Sequence, residues 1–186
     1  MHSTGKGHTA TERFLLKDKY YMECIGQALN SKGSFQKYGS IIVKRGAIIG
    51  KGHNRRITSG DAIRQGYANH AEISAINSAV SRRKNPEGSD MYVAGFFTVE
   101  RTLCLRASGP NYTCLRCIPG MKEYGIGTLF VPTMDGWMPL QIDGIESVVR
   151  KFLESTKGKG LHEKRLKSWN NPYTIDFILK NTLKNT

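Results

Sequence analysis

Two short segments carry residues whose types and spacing can do chemistry. One is His70, Ala71 and Glu72; the other is Cys114, Leu115, Arg116 and Cys117. One imidazole and two thiolates make three good ligands for tetrahedral zinc, leaving a fourth position open to water. Zinc lowers the pKa of such a water to roughly 7, which makes it a nucleophile at neutral pH. Both segments read as helix starts, and a helix N-terminus favours thiolate over thiol. Glu72 follows the histidine by two residues, beside the metal but off the ligand axis, where a carboxylate can carry protons. Other readings of the separate pieces stay open at this level. A lone His-x-Glu is common on helix surfaces. A lone Cys-x-x-Cys also suits a redox pair, or half of a structural zinc site completed by Cys104 or His53.

The elements around these segments can be read from periodicity. Tyr21, Cys24, Ile25, Ala28 and Leu29 fall on one face of a helix expected from Glu12 to Ser31. Tyr38 to Lys44 and Ala47 to Gly50 flank Arg45 and Gly46 and predict a β-hairpin. A polar loop from Gly52 to Ala68 follows. Ile73, Ile76 and Val80 mark a helix from His70 to Val80, with Asn69 as its expected N-cap. Asp90 to Val99 predicts a strand, Glu100 to Thr113 a loop, Cys114 to Tyr124 a short helix, and Ile126 to Val131 a second strand. A further helix is expected from Asp143 to about Glu154, with Glu146 completing a capping-box-like start. Tyr173 to Leu183 predicts a terminal helix. The alternation of β and α in the second half argues for an α/β fold, a three-layer α/β/α sandwich around a mixed sheet.

The chain has 186 residues, enough for one domain with a full core, and its 39% hydrophobic content is ordinary for a soluble protein. No apolar run approaches the ~20 residues of a membrane span. The polar stretch from Met1 to Lys6 lacks the apolar centre of a signal peptide. Residues 1–11 read as a flexible leader, 12–156 as the domain, and 157–186 as a basic extension packed on it. The cysteines are Cys24, Cys104, Cys114 and Cys117; the chain reads as cytoplasmic, where thiols serve metals or redox chemistry rather than disulfides. The formal charge is +13, and the stretch from Arg150 onward holds nine Lys/Arg against three Asp/Glu. Such a balance favours anionic partners, nucleotides or nucleic acid, although a basic surface that only aids solubility has the same composition.

Histidine, glutamate two residues later, and a downstream Cys-x-x-Cys is the pattern of zinc nucleobase deaminases. The chain resembles the cytidine and deoxycytidylate deaminase superfamily from about Tyr20 to Val131. The resemblance lies in Gly39 to Lys44, Ile48 to Asn54, Asn69 to Asn77, Tyr92 and Val93, and Thr113 to Cys117. It looks closest to the branch of deoxycytidylate, riboflavin-pathway and tRNA adenosine deaminases. In that branch the strand after the Cys-x-x-Cys helix lies parallel to its neighbour, a role that Ile126 to Val131 fits. The resemblance implies a cytidine-deaminase-like mixed five-stranded sheet. It implies that His70, Cys114 and Cys117 hold Zn2+ and that Glu72 shuttles protons. It also implies that Asn54 and the backbone at Ala71 contact substrate, and that the protein is at least a dimer. The family usually has Pro where Thr113 stands, and a shorter gap between Glu72 and Cys114. The extra residues lie near Arg101 to Tyr112; Arg101, Arg106 and Tyr112 can contact phosphate or stack on a base, or simply line a solvated loop.

The leading expectation is therefore hydrolytic conversion of cytosine to uracil in a (deoxy)cytidine nucleotide or nucleoside, with release of ammonia. The alternative is deamination of cytosine or adenine within RNA or single-stranded DNA, favoured by charge. The scatter of Tyr67, Tyr112, Trp137 and Trp169, with no stacking array, counts against it. A noncatalytic zinc-folded partner subunit is a lesser alternative, disfavoured because Glu72 is present.

Overall fold

The computed structural model describes residues 17–32, 36–55, 70–99, 102–105, 114, 116–133, 136–147 and 172–174. Its elements are α1 (Lys19–Leu29), β1 (Gln36–Lys44), β2 (Ala47–His53), α2 (Ala71–Ser81), β3 (Asp90–Val99), β4 (Thr102–Leu105), α3 (Ile118–Glu123), β5 (Thr128–Thr133), β6 (Gly136–Gln141) and β7 (Pro172–Thr174).

α1 starts where Asp18 accepts a hydrogen bond from the Tyr21 N–H at 2.8 Å, an N-cap that satisfies an otherwise orphaned donor. Its apolar stripe, Tyr21, Met22, Cys24, Ile25 and Ala28, is buried. The β1–β2 hairpin turns at Arg45 (φ 51°) and Gly46 (φ 79°), the pair of positive φ values that a tight primed turn requires.

The mixed five-stranded sheet is present, in the order β2-β1-β3-β5-β6. β1 pairs antiparallel with β2 and β3, β5 runs parallel to the first residues of β3, and β6 returns antiparallel to β5. The parallel β3–β5 pair needs a crossover, and the chain between them carries α3. The far half of the same β3 edge, residues 96–99, pairs with β4, and β4 pairs with β7.

Strand alternation sends side chains to two separate cores. Ile41, Val43, Ala94 and Phe96 pack against α1 on one face. Ile42, Met91, Val93, Leu129 and Val131 pack under α2 and α3 on the other. This is the expected three-layer sandwich. No helix among the described residues is long and apolar enough to cross a membrane.

Four expectations from the sequence need correction. Residues 102–105 are a strand rather than part of a loop, because β3 extends past β5 and leaves a free edge for them. β6 was not foreseen: Pro139 interrupts its pattern, and the structure tolerates it because β6 pairs only with β5 and is an edge. Residues 173 and 174 belong to β7, not to a helix, because they pair with β4; residues 175–183 lie outside the described set. β2 runs on to His53 before the expected loop, which falls almost wholly outside the described residues.

Candidate active site

α2 lies low on β2 because β2 carries glycine at alternate positions. A Cβ at Gly52 would meet Ala75 N at 2.3 Å and Ala71 O at 2.5 Å; one at Gly50 would meet Ala75 O at 2.4 Å. The missing side chains let the helix backbone rest almost directly on the strand, which sets the height of its first turn. The N-cap of α2 is His70, with extended backbone (φ −86°, ψ 148°), rather than Asn69, which lies outside the described residues. The imidazole makes no capping bond and is directed to the thiols instead.

α3 begins at Ile118, later in the chain than a helix start at Cys114. The Cys117 N–H donates to the Cys114 carbonyl at 2.9 Å, so the Cys-x-x-Cys segment is a turn that folds both sulfurs toward one point. Cys117 is then the N-cap of α3, and Pro119 sits in the first turn, where no N–H is needed. Gly120 brings α3 against α2: a Cβ there would meet Ile73 Cδ1 at 2.7 Å.

These approaches put one donor atom each from His70, Cys114 and Cys117 within 4.8 Å of one another, and His70 Nδ1 lies 3.2 Å from Cys117 Sγ. In a tetrahedral zinc site the ligand–ligand edges are about 3.6–3.8 Å, from Zn–N and Zn–S bonds of about 2.1 and 2.3 Å. The donor set fits the ion in both chemistry and size. Among the described residues His53 is not part of this group. Cys114 and Cys117 are free thiols, not a disulfide.

Protons bind this cluster together in the absence of metal. A hydrogen bond from Cys117 holds Cys114 down to about 4, against the opposing effect of burial. Cys117 is pushed far up, first because its proton is held by Cys114 and then by burial. The hydrogen bond to Cys114 raises His70. A cation would replace those protons, since thiolate and neutral imidazole are the ligating forms.

Glu72 stands in the first turn of α2, 5% exposed, outside the donor group yet near enough to hydrogen-bond with Cys117. Burial raises its carboxyl to about 7, and the neighbouring Cys114 charge adds to the rise. A carboxyl poised near neutrality, next to a metal position, can accept and return protons.

Ala71 is buried. Asn54 follows the end of β2, where its Oδ1 accepts the Tyr38 N–H at 2.8 Å and its own N–H donates to the Tyr38 carbonyl at 3.1 Å. That pair fixes the orientation of the Asn54 side chain. Arg101, Arg106 and Tyr112 lie outside the described residues. Gly50, Gly52 and Gly120 do not stand out from the sequence motifs, although they set the helix approaches; glycine at alternate strand positions is the signal that could have found the first two.

No curated protein matches the chain. Solved structures match at low identity. A cytidine deaminase from Burkholderia pseudomallei is 20% identical, with 64% of this chain and 87% of that one covered and a TM-score of 0.48. A dCMP deaminase from cyanophage S-TIM5, in complex with dCMP and dUMP, is 20% identical, with 66% and 82% covered and a TM-score of 0.37. A diaminohydroxyphosphoribosylaminopyrimidine deaminase/5-amino-6-(5-phosphoribosylamino)uracil reductase from Thermotoga maritima is 20% identical over 62% of this chain, with a TM-score of 0.39; the chain spans 28% of its length. Residues 16–133, well over half of the chain, match the sequence model of the cytidine and deoxycytidylate deaminase zinc-binding region. The chain therefore belongs to that family, and the ion that His70, Cys114 and Cys117 are placed to hold is zinc.

Proposed function

We propose that the protein is a hydrolytic deaminase that converts cytosine to uracil in a (deoxy)cytidine nucleotide or nucleoside and releases ammonia. The observation that carries this reading is Glu72, a buried carboxyl held near neutrality beside a three-donor zinc group. His70, Cys114 and Cys117 would hold the metal, which would supply acidification of a water molecule. Glu72 would accept a proton and deliver it to the ring nitrogen next to the amino-bearing carbon. It then carries a second proton to the amino group, which departs as ammonia. Water in and ammonia out balance the reaction. The backbone at Ala71 and the side chain of Asn54 orient the base. Arg101, Arg106 and Tyr112 would contact phosphate or stack on the base. The family resemblance adds the proposal that the protein works as an oligomer in the cytoplasm.

The test is a panel of cytosine, cytidine, deoxycytidine, their monophosphates, adenosine, guanine and short single-stranded oligonucleotides. Zinc-loaded protein and Glu72→Ala are compared by ammonia release and base conversion. Turnover of a cytidine monomer that disappears in Glu72→Ala is the expected result. Turnover of oligonucleotides alone moves the substrate to polynucleotides, and no turnover by zinc-loaded protein removes the catalytic reading.

A further inference from the structure

β2 is the outermost strand of the sheet, and among the described residues only β1 pairs with it. Its other edge opens into a groove of 630 Å³ lined by residues of α1, β2 and α2. Strand edges are usually masked, because their unpaired N–H and C=O groups recruit further strands. An outward-pointing lysine is one such mask, but Lys51 is turned to Glu23 of α1 at 2.9 Å. The Lys51 N–H faces away from β1 and donates to Ser78 Oγ at 3.4 Å, beyond the usual 2.7–3.2 Å. Alternation turns the backbone of His53 the same way. On the other side of Gly50 the register shifts, with Gly50 opposite Ile42 and Ile48 opposite Val43, so the regular edge runs from Gly50 to His53. That is about 14 Å of strand at 3.4 Å per residue.

The flank of α2 matches that edge in length. Ser74, Asn77, Ser78, Ser81 and Arg82 line the groove at i, i+3, i+4, i+7, i+8 spacing, a polar stripe of about 12 Å at 1.5 Å per residue. α2 runs antiparallel to β2, since a Cβ at Gly52 would meet Ala71 and one at Gly50 would meet Ala79. Arg82 therefore stands toward one end of the groove and Arg55 toward the other. The lining includes no carboxylate, and among the described residues neither arginine has one within ion-pair distance. We infer that the edge of β2 is a docking site for an extended acidic segment of another protein, which adds to the sheet as a strand and meets Arg55 and Arg82 with carboxylates. The backbone groups of β2 hold such a strand whatever its sequence, and the two guanidinium groups select its charge. A second copy of this chain fits poorly: it is itself basic at +13, and pairing β2 with β2 brings the arginines of the two copies together. Docking here requires no turnover, so it stands apart from the deaminase reading.

The probe is a short fluorescein-labelled peptide of alternating glutamate and threonine, whose threonines favour an extended strand. Its binding to the zinc-loaded full chain is followed by anisotropy. The acidic peptide is expected to bind, and the same peptide with lysine for glutamate is not. Proline in place of each threonine keeps every carboxylate but removes backbone donors, and this peptide should also fail to bind. Arg55→Gln with Arg82→Gln weakens binding of the acidic peptide about tenfold. Lys32→Gln with Lys122→Gln, two exposed charges outside the groove lining, leaves it unchanged. No binding of the acidic peptide overturns the inference. Equal binding of the proline peptide overturns it too, because charge alone would then account for the affinity. Oligothymidylate that displaces the acidic peptide with equal affinity marks a general polyanion surface and overturns the choice of partner. No peptide binding by a chain that elutes as a dimer, with the monomer recovered in Asn77→Trp, assigns the edge to a second copy and likewise overturns it.

Discussion

Glu72 is the only buried carboxylate among the described residues, and its cost and its use have the same origin. An ionised carboxyl is expensive to bury, so the fold favours the protonated form and lifts the group from 4.5 to about 7. At that value it is available both as acid and as base near neutral pH. Glu72→Ala is expected to lower kcat by about 10²–10⁴ while bound zinc, measured by atomic absorption, stays stoichiometric. The same shift has a consequence for stability. A folded-state pKa above the unfolded one means stability that is full below pH 4.5 and lost as pH rises toward 7. Metal-free protein should lose up to about 3 kcal/mol through this window relative to Glu72→Gln, from 1.36 kcal/mol per unit. Denaturant unfolding of the two chelated proteins between pH 4.5 and 8 measures the difference; parallel curves would count against a raised Glu72.

At the scale of elements, the site depends on how closely two helices approach. Gly52 sets α2 on β2, and Gly39 sets α1 on β1, where a Cβ would meet Cys24 O at 1.9 Å. Both substitutions to alanine push backbones apart, and each should cost about 1–3 kcal/mol or more. Their functional effects should differ because they lie on opposite faces. Gly52→Ala displaces the turn that carries His70 and Glu72 and should weaken zinc affinity. Gly39→Ala disturbs the α1 core and should leave zinc affinity nearly unchanged in the folded fraction. Competition with a chromogenic chelator separates the two, and equal losses of affinity would contradict this division of faces. The elements were unequally legible in the sequence. The hairpin was clear because Arg45 and Gly46 sit between two β-branched runs. β6 was hidden because Pro139 reads as a breaker unless the strand is known to be an edge. The start of α3 was misjudged because the cysteine spacing suits a helix turn, whereas the Cys117 N–H bond to Cys114 closes a separate turn first.

For the whole molecule, the zinc group joins the start of α2 to the start of α3 across the β3 layer between them in sequence. Metal bound there stabilises only the folded state, in which the three donors meet. Chelation should lower the thermal midpoint by several degrees, more than the same chelator lowers it in His70→Ala; equal midpoints with and without metal would show that the two helices are held by packing alone. The sequence by itself pointed to a metal. Residue types and spacing at His70, Cys114 and Cys117 suit zinc, because ligand preference is a property of the side chains, and Glu72 two residues after the histidine raised the expectation of a proton carrier. Periodicity likewise determined the alternation of helices and strands. Only the tertiary structure decided that the three donors converge within 4.8 Å, that Glu72 is buried among them, and that Arg55 and Arg82 share one groove. Those facts arise from contacts between residues far apart in the chain, set by glycine approaches and strand pairing, and no local pattern encodes a distance of that kind.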